Sequence, residues 1–523
     1  MKLPNIAVHG SHNGSITVEH EGDVVVVIEL ERFLNSKNIG LCRYLPAKSK
    51  EVLVQNALDY IRNRYGFEKF DTCLYQSSDD PQTRVQYHEQ IPANNYISCL
   101  HHESHAHAAF YQSSYDKGLI ISFDGGGNDG YCNVYVAEDR KTITRVKTSN
   151  MDLGFPYMSF GHFLKDINRE AHIGLGNLVY AGKIMGLCSY GNVRKEWFAA
   201  FRRYYTSKPL NNTFIGLMGD LFESIGVPYG DTSRLEGQIA YDIAATSQRV
   251  FEDIVFEFLE PFLQEFPDYP LLVTGGCGLN ILLNTRFEQQ LDRDVFVPVN
   301  PSDCGLSAGM ILGHLKPEKP VDLTYKGIHP LDQDCLPMYV EERNGVKKTS
   351  IGEIAQLLAN GKIVGVVRDG AEHGPRALGN RSILCNPAFP DMKDILNAKV
   401  KNREWYRPFA PVCKLEDIHK YFNQDFETRW MSFCPTVKNE WIDKLRSITH
   451  TDNTARVQTV TREQNPWLYD LISEFENHTG VGVLLNTSYN IAGKPIVPTY
   501  RDALHLLDNS SMDFTVLKDY IFK

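Results

Sequence analysis

A chain of 523 residues, 42% hydrophobic and 23% charged, exceeds what one hydrophobic core organises, so we expect two or three folded domains and little disorder. The formal net charge of -10 disfavours nonspecific binding to nucleic acid or to an anionic membrane, although a local basic pocket can still bind a phosphorylated small molecule. Scattered cysteines without a CxxC pair, and an N-terminus without the apolar core of a signal peptide, predict a cytoplasmic protein with reduced thiols and no membrane anchor.

Two segments of the N-terminal half show the same order of predicted elements. IAVHGSHNGSITVEHEGDVVVVIELE, from Ile6, reads as a strand, a loop of small residues, a strand, a turn and a longer strand. LIISFDGGGNDGYCNVYVAEDRKTITRVK, from Leu119, repeats that order. The repetition indicates a duplicated lobe. Paired lobes of this kind, with glycine-rich turns facing a shared cleft, are typical of the actin and sugar-kinase type of α/β fold.

Between these two segments, HHESHAHAAF places four histidines within seven residues. On a helix, His101 and His105 lie one above the other on the same face and can offer two imidazoles to one metal ion. The zinc-protease pattern HExxH is absent, because Ala106 stands where that pattern needs a histidine if it starts at His102. This stretch alone leaves two interpretations open, a metal site and a polar helix with hydrogen-bonded histidines.

Two aspartates follow predicted strands and would complete a metal site. Asp124 ends an apolar strand in FDGGG, and Asp303, in NPSDCG, lies at a strand-to-helix turn. Each aspartate alone is explained as well by a glycine turn or by a helix N-cap. Taken together with the histidines, they form a two-His, two-Asp set that suits iron(II), manganese or zinc better than calcium.

The next segments predict a second α/β unit after a linker. YPLLVTGGCGLN predicts a strand that runs into the Gly275-Gly276 turn, and DVFVPVNPSDCGLSAGMILGHL predicts a strand, a loop and a helix. The region after Lys316 is rich in proline and charge, so we predict a linker over residues 326–348 between domains at residues 1–325 and 349–523. Ser350 and Glu353 form a predicted capping box at the start of the second domain.

The second domain contains a local excess of positive charge. Between Arg368 and Arg407 there are eight basic residues against five acidic ones. GPRALGNRS is too rich in small and apolar residues for a solvated charged face, and arginine matches phosphate or carboxylate oxygens in bidentate fashion. We therefore predict an anion site. A third stretch, GVGVLLNTSYN, ends a predicted strand with amide and hydroxyl side chains that are able to bind phosphate or ribose.

The order of these motifs resembles the O-carbamoyltransferases of the nodulation-protein and antibiotic-tailoring type, in which a Kae1-like domain is fused to a YrdC-like domain. The motifs cover nearly the whole chain: HNGS, ELERFLNSK, HHESHAHAAF, FDGGG, GKIMGL, GGCGLN, PSDCGLSAGM, EHGPRALGNRSIL, KVKNREWYRPFAP and LLNTSYNIAGKPIV. The resemblance implies a duplicated actin-like and sugar-kinase-like (Kae1-like) domain of two lobes, followed by a YrdC-like α/β domain.

The resemblance also implies two reactions. Carbamoyl phosphate and ATP, with magnesium, yield carbamoyladenylate in the YrdC-like domain, with release of phosphate and pyrophosphate. In the Kae1-like domain the carbamoyl group passes to an acceptor hydroxyl and AMP leaves. Because both donor substrates are polyanions, positive charge is needed to bring them together.

The resemblance also implies roles for individual residues. The implied metal ligands, with iron(II) as the expected ion, are His101, His105, Asp124 and Asp303. The transfer site would contain His12 and Lys37, where a histidine accepts the proton of the attacking hydroxyl or only hydrogen-bonds the nucleotide. The carbamoyl phosphate or nucleotide is expected to be bound by Arg376, Arg381, Lys401, Arg407, Asn486 and Ser488, and by the glycine turns at Gly126, Gly275 and Gly276.

Two other functions compete with this interpretation: a tRNA threonylcarbamoyl-type transferase built from the same modules, and a nucleotide-binding regulatory protein without turnover. Both modules lie in one chain and the charge is unfavourable for tRNA, which favours small-molecule carbamoylation. The chain contains both a set of basic residues and a set of candidate metal ligands, which argues against a regulatory protein without turnover. Aminoglycosides, macrocycles, sugars and oligosaccharides all suit as acceptors, and a homodimer is a family-level expectation.

Overall fold

The structure, a computed structural model, describes residues 2–41, 47–76, 87–168, 177–207, 214–228 and 234–523. The segment 206–235, whose sequence gave no interpretable pattern, lies partly outside these residues. The described chain is a mixed α/β protein with three β-sheets, two in the N-terminal half and one in the C-terminal part.

The two N-terminal sheets have the same strand order. The first contains β1 (Asn5–His9), β2 (Ser15–His20), β3 (Asp23–Glu29), β4 (Phe70–Gln76) and β5 (Ala93–Ser98), in the order β3-β2-β1-β4-β5. The second contains β6 (Gly118–Gly127), β7 (Gly130–Ala137), β8 (Ile143–Ser149), β9 (Leu271–Thr274) and β10 (Val295–Phe296), in the order β8-β7-β6-β9-β10. In each sheet the first three strands form an antiparallel meander and the last two pair in parallel. The predicted duplication is confirmed.

Helices of the N-terminal half join and cover these sheets. They are α1 (Glu31–Leu34), α2 (Ala47–Tyr65), α3 (Tyr87–Gln90), α4 (His101–Gln112), α5 (Gly154–Phe163), α6 (Val179–Leu187), α7 (Phe198–Thr206), α8 (Phe214–Ser224), α9 (Gln238–Glu265), α10 (Ile281–Gln290) and α11 (Leu306–Leu315). The helix α11 packs on the first sheet, α4 packs on the second, and the two helices contact each other. The lobes therefore meet through α4 and α11, which bury a shared apolar cluster that includes Phe110 and Ile311.

The C-terminal part is built around an eight-stranded mixed sheet. Its strands are β11 (Lys347–Lys348), β12 (Val364–Val367), β13 (Arg381–Cys385), β14 (Ala410–Lys414), β15 (Gln458–Val460), β16 (Val483–Ser488), β17 (Phe514–Leu517) and β18 (Tyr520–Phe522), in the order β11-β18-β17-β12-β13-β16-β14-β15. Its helices are α12 (Leu336–Glu342), α13 (Ile351–Ala359), α14 (Met392–Ile395), α15 (Ile418–Tyr421), α16 (Pro466–Thr479) and α17 (Tyr500–Asp508).

The start of this C-terminal part differs in detail from the sequence prediction. Within the predicted linker, α12 buries Leu336 and Tyr339 against the core of the C-terminal sheet. At the predicted capping box, Ser350 Oγ accepts a hydrogen bond from the backbone N–H of Glu353 at 3.2 Å. The reciprocal half of the box is absent, because the Glu353 carboxylate binds Lys347 and Thr349 instead.

Polar contacts connect the N-terminal half to the C-terminal sheet. Glu29, at the end of β3, accepts a hydrogen bond from the backbone N–H of Gly374 at 2.5 Å, and Lys183 on α6 pairs with Glu404 at 2.7 Å. These contacts place EHGPRALGNRS and NREWYRPFAP against the N-terminal lobes. No helix among the described residues combines the length and the apolar character needed to cross a membrane.

Candidate functional site

Four side chains from three elements meet between the two lobes. His101 and His105 lie on successive turns of α4, Asp124 lies near the end of β6, and Asp303 lies in a 3-10 turn that leads into α11. One ligand atom from each residue lies within 4.8 Å of the other three. The structure thus brings together all four residues that the sequence predicted as metal ligands.

The unsatisfied atoms of this cluster fit a divalent cation. Nε2 of His101 and both ring nitrogens of His105 are buried without a hydrogen-bond partner. His105 Nε2 lies 3.4 Å from Asp124 Oδ2 and 3.5 Å from Asp303 Oδ1. Ligand bonds of about 2.0–2.2 Å place neighbouring ligand atoms about 3–3.6 Å apart in tetrahedral or octahedral sites, so the observed spacing fits an ion at the centre.

The charges of the cluster are mutually dependent. Burial disfavours the charged form of His105, but the carboxylates of Asp124 and Asp303 outweigh burial and raise its pKa to about 9. Burial likewise opposes ionisation of Asp124, yet its contacts with His101 and His105 hold the pKa of this carboxyl well below its usual value. The buried carboxylates of Asp124 and Asp303 both face His105 Nε2. They require nearby positive charge, which a metal ion would supply.

The other two histidines of HHESHAHAAF have different environments. The ring of His102 contacts Ser122 Oγ at 2.8 Å and the carbonyl of Gly130 at 3.0 Å, and burial lowers its pKa to about 4. Burial also lowers the pKa of His107 to about 4. Neither ring belongs to the set of four candidate metal ligands.

Glycine turns hold Asp124 in place. The backbone N–H of Gly276 donates to Asp124 Oδ2 at 2.6 Å. Gly275 adopts φ +86°, and a Cβ at this position would lie 2.2 Å from the carbonyl oxygen of Phe123, so only glycine fits. Gly126 also has a positive φ, of +135°. In this structure the Gly275-Gly276 turn, which was predicted to contact the carbamoyl phosphate or nucleotide, contacts the carboxylate of Asp124.

Asp303 joins the metal-ligand set to His12. Its Oδ1 faces His101 and His105, whereas its Oδ2 lies 3.1 Å from His12 Nδ1 and 3.7 Å from His9 Nε2. The side chain of His12 is 45% exposed, so its ring is accessible from the cleft while Asp303 orients it. The loop that carries His12 continues to Asn13, whose backbone N–H donates to the carbonyl of Asn38.

The hydrogen bond to Asn38 brings the loop that contains Lys37 close to His12. Packing around Lys37 and the positive charges of nearby arginines lower its pKa. The loop of Lys37 is thus linked to the loop of His12, and the arginines that lower its pKa belong to a group of cations that we call the basic cluster. The basic cluster consists of Lys37, Arg376, Lys401, Arg403, Arg407 and Arg456.

Several cations of the basic cluster lack a counter-ion. Within the described part of the chain, the guanidinium groups of Arg376 and Arg456 make no hydrogen bond or ion pair, and Arg407 has only Glu404, at 3.6 Å. Burial and the charge of Arg407 lower the pKa of Arg376 to about 10. Cations that are crowded and unpaired in this way are suited to bind a polyanion, which would relieve their repulsion.

Lys401 belongs to the same site but is deeply buried. Its ammonium donates to the carbonyl and to Oγ of Ser488 and, at 2.7 Å, to Asn490 Oδ1. Burial and the neighbouring positive charges hold the pKa of Lys401 well below its usual value. Ser488 and Lys401 thus lie together, as predicted, and Ser488 Oγ also donates to Asn490 Oδ1.

Two residues that the sequence predicted as ligand contacts face the protein interior. Arg381 is 1% exposed, and the terminal nitrogens of its guanidinium donate to the backbone carbonyls of Ile328, Arg368, Asp369 and Asn380. Asn486 is also 1% exposed and donates to the carbonyl of Ala377 and to Gln458. The structure gives both side chains internal partners, and Arg381 lies apart from the basic cluster.

The sequence analysis missed other residues of the site. Arg456 was not singled out, because one basic residue within ARVQTV gives little signal. Glu404, which pairs with both Lys183 and Arg407, links the basic cluster to α6. Gln76, at the end of β4, lies beside His101 and His9, and nothing in the strand FDTCLYQ indicates a site.

Comparison with known proteins identifies the class of protein that has this fold and these sites. Residues 47–312 match the family description Carbamoyltransferase N-terminus, and residues 355–523 match Carbamoyltransferase C-terminus. The chain belongs to the carbamoyltransferase family and is therefore an enzyme. The predicted resemblance to this family is confirmed.

Curated relatives match over most of their lengths. Nodulation protein NolO of Bradyrhizobium diazoefficiens is 31% identical, with 81% of this chain and 78% of that protein covered. The 3'-hydroxymethylcephem-O-carbamoyltransferase of Amycolatopsis lactamdurans is also 31% identical, with 81% and 80% covered. Among solved structures, HypF in its phosphate- and nucleotide-bound form is 15% identical and covers 60% of this chain and 46% of that chain, with a TM-score of 0.38.

Proposed function

We propose that this enzyme is an ATP-dependent O-carbamoyltransferase. Carbamoyl phosphate and ATP give carbamoyladenylate, with release of phosphate and pyrophosphate, and the carbamoyl group then passes to a hydroxyl of a small-molecule or sugar acceptor while AMP leaves. The observation that carries this proposal is the basic cluster, with unpaired Arg376 and Arg456, connected through Lys37 and His12 to a buried two-His, two-Asp set.

The basic cluster supports the first reaction. Carbamoyl phosphate and the triphosphate of ATP repel each other, and the reacting oxygens become close only if positive charge compensates. Arg376, Arg407 and Arg456 supply that charge with few competing partners, whereas Lys401 holds the turn at Ser488. On this proposal the C-terminal sheet is the YrdC-like, adenylate-forming part of the enzyme, and the N-terminal lobes are the Kae1-like, carbamoyl-transferring part.

The lobes support the second reaction. A metal ion held by the two histidines and two aspartates would supply a Lewis acid for a carbonyl or phosphoryl oxygen. His12 Nδ1 lies 3.1 Å from Asp303 Oδ2. In the tautomer with the proton on Nδ1, Nε2 accepts the proton of the acceptor hydroxyl as the hydroxyl oxygen attacks the carbamoyl carbon. We take iron(II) as the expected ion, with manganese or zinc as alternatives, and magnesium as the companion of ATP.

The relatives narrow the acceptor class. One is named for nodulation and another for carbamoylation of a hydroxymethylcephem, so both support a role in tailoring a natural product or a glycan, with antibiotic biosynthesis as one setting. A cytoplasmic location and a homodimer complete the proposal.

The first half-reaction tests the proposal without knowledge of the acceptor. We expect the purified protein, given carbamoyl phosphate, ATP, magnesium and iron(II), to form carbamoyladenylate and pyrophosphate detectable by mass spectrometry. Arg376→Ala and Arg407→Ala should each reduce this rate about 100-fold, the usual effect of removing one charge-stabilising donor. Arg446→Ala, at a 58% exposed arginine of the C-terminal part, is the matched control and should not change the rate.

Two results would contradict the proposal. Binding of ATP without adenylate under any of the three metals would favour a regulatory protein. Consumption of L-threonine during ATP cleavage would instead favour the threonylcarbamoyl-type reaction.

A further inference from the structure

A single glutamine links the metal-ligand set to the strand that precedes His12. Gln76 ends β4, and His9, which ends β1, is its partner in the parallel register of the two strands. The side-chain amide of Gln76 lies between two imidazoles, with its oxygen 2.8 Å from His9 Nδ1 and its nitrogen 3.0 Å from His101 Nδ1. The ring of His9 is fully buried, so its contacts are made entirely within the protein.

The metal-ligand role of His101 determines what Gln76 must offer. His101 Nε2 is the atom that faces the two aspartates, so it must carry the lone pair that binds a metal. Nδ1 then carries the proton and needs an acceptor. The amide oxygen of Gln76 can be that acceptor if the amide is turned by 180° from its orientation in the structure, so that the oxygen faces His101 and the nitrogen faces His9. Oxygen and nitrogen of such an amide are assigned from the hydrogen-bond network.

His9 independently requires the same orientation. Its Nε2 faces two acceptors, the carbonyl of His12 at 3.3 Å and Asp303 Oδ2 at 3.7 Å. Nε2 must therefore carry the proton, and Nδ1 of the neutral ring can only accept. An acceptor at Nδ1 needs the amide nitrogen of Gln76 as its donor. One orientation of the amide thus satisfies both rings, and the reverse orientation satisfies neither.

We propose that Gln76 and His9 form a positioning relay, in which the amide fixes the metal-binding tautomer of His101 and the His9 ring holds the backbone of His12. The relay makes the metal ligand and the loop of the transfer site depend on one side chain. This inference rests on the metal site proposed above, but not on the identity of the acceptor or on the carbamoyl donor.

Cobalt(II) binding to the full chain tests the relay without turnover. We measure the cobalt dissociation constant by chelator competition, together with the d–d absorption bands. Gln76→Leu removes the acceptor for His101 and should weaken binding about 10- to 100-fold, the usual effect of losing such a partner. Gln76→Glu keeps an acceptor oxygen for His101, although it cannot donate to His9, and should bind cobalt more tightly than Gln76→Leu. Gln55→Leu, at an exposed glutamine on α2, is the matched control.

The outcomes separate the relay from the metal site. A folded Gln76→Leu variant that binds cobalt as tightly as the wild type would overturn the relay, and so would a Gln76→Glu variant as weak as Gln76→Leu. If Gln76→Leu does not fold, Gln76→Asn replaces it, because its amide is one methylene too short to span both rings and should show the same weakening. A wild type that binds no cobalt would overturn the metal site and the relay with it.

Discussion

At the scale of single residues, Asp303 has the most connected position in the site. One of its carboxylate oxygens faces the two ligand histidines and the other faces His12. Asp303 would therefore couple the position of a bound metal ion to the orientation of His12, the proposed base. A small shift of Asp303 would therefore alter both the ligand set and the direction of His12 Nε2.

The role of His12 is testable by separating the two half-reactions. His12→Asn removes the group that accepts the hydroxyl proton, so carbamoyl transfer should fall about 10²- to 10⁴-fold while carbamoyladenylate still forms. Transfer is followed by mass spectrometry with the acceptor that the wild type carbamoylates in a panel of chitotetraose, kanamycin and a 3'-hydroxymethylcephem. His20→Asn, on β2, is the control and should leave both reactions unchanged. Unchanged transfer in His12→Asn would leave this histidine only a nucleotide contact.

Sequence patterns predicted the positions of the candidate metal ligands better than those of the candidate anion-binding residues, for a physical reason. His101 and His105 share a helix face by their spacing alone, and Asp124 and Asp303 each follow a strand, so local structure places all four. Arg381 is different, since the same guanidinium is able to bind a phosphate or four backbone carbonyls, and only the folded loop decides which. Gln76 was missed because its partner His9 comes from another strand.

At the scale of elements, the turn after β9 positions a carboxylate that belongs to β6. These two strands pair in parallel, so the turn at Gly275 and Gly276 lies directly beside Asp124. The sequence predicted a ligand-binding turn at this place from its glycines. The structure shows why glycine is needed, namely a positive φ and the close approach of the Phe123 carbonyl.

A methyl group at Gly275 should therefore weaken metal binding without touching a ligand. In Gly275→Ala the Cβ would meet the Phe123 carbonyl at 2.2 Å, so the turn must shift and withdraw the Gly276 N–H from Asp124. We expect cobalt affinity to fall about tenfold, as for other losses of a supporting hydrogen bond at a metal site. Gly66→Ala is the control, because Gly66 also has a positive φ (+76°) but open space around it. Equal cobalt affinity in the two variants would show that the turn does not support the site.

At the scale of the whole molecule, the sequence analysis predicted two parts but not how they are joined. The duplication of the N-terminal lobe followed from repeated hydrophobic patterns, which local physics controls. The contacts between the parts depend on single polar residues such as Glu29 and Lys183, whose sequence context gives no indication of a partner more than 200 residues away. These contacts bring the basic cluster to the lobes, so the two proposed reactions depend on them.

The contact of Glu29 with the C-terminal part can be tested by measuring thermal stability as a function of pH. Burial opposes ionisation of Glu29, but Arg32, His373 and the N–H of Gly374 lower its pKa from 4.5 to about 2. A carboxyl whose pKa is lower in the folded state stabilises that state at pH values above its pKa in the unfolded chain. This contribution, about 3 kcal/mol, is lost as the pH falls from about 4.5 to 2.

Glu29→Gln should lower Tm at pH 7, and the difference in Tm between this variant and the wild type should shrink steadily below pH 4.5. Glu51→Gln, on the exposed face of α2, should match the wild type throughout. A Tm difference for Glu29→Gln that stays constant down to pH 3 would mean that Glu29 has an ordinary pKa in the folded state, and that its charge does not stabilise the contact between β3 and the C-terminal part.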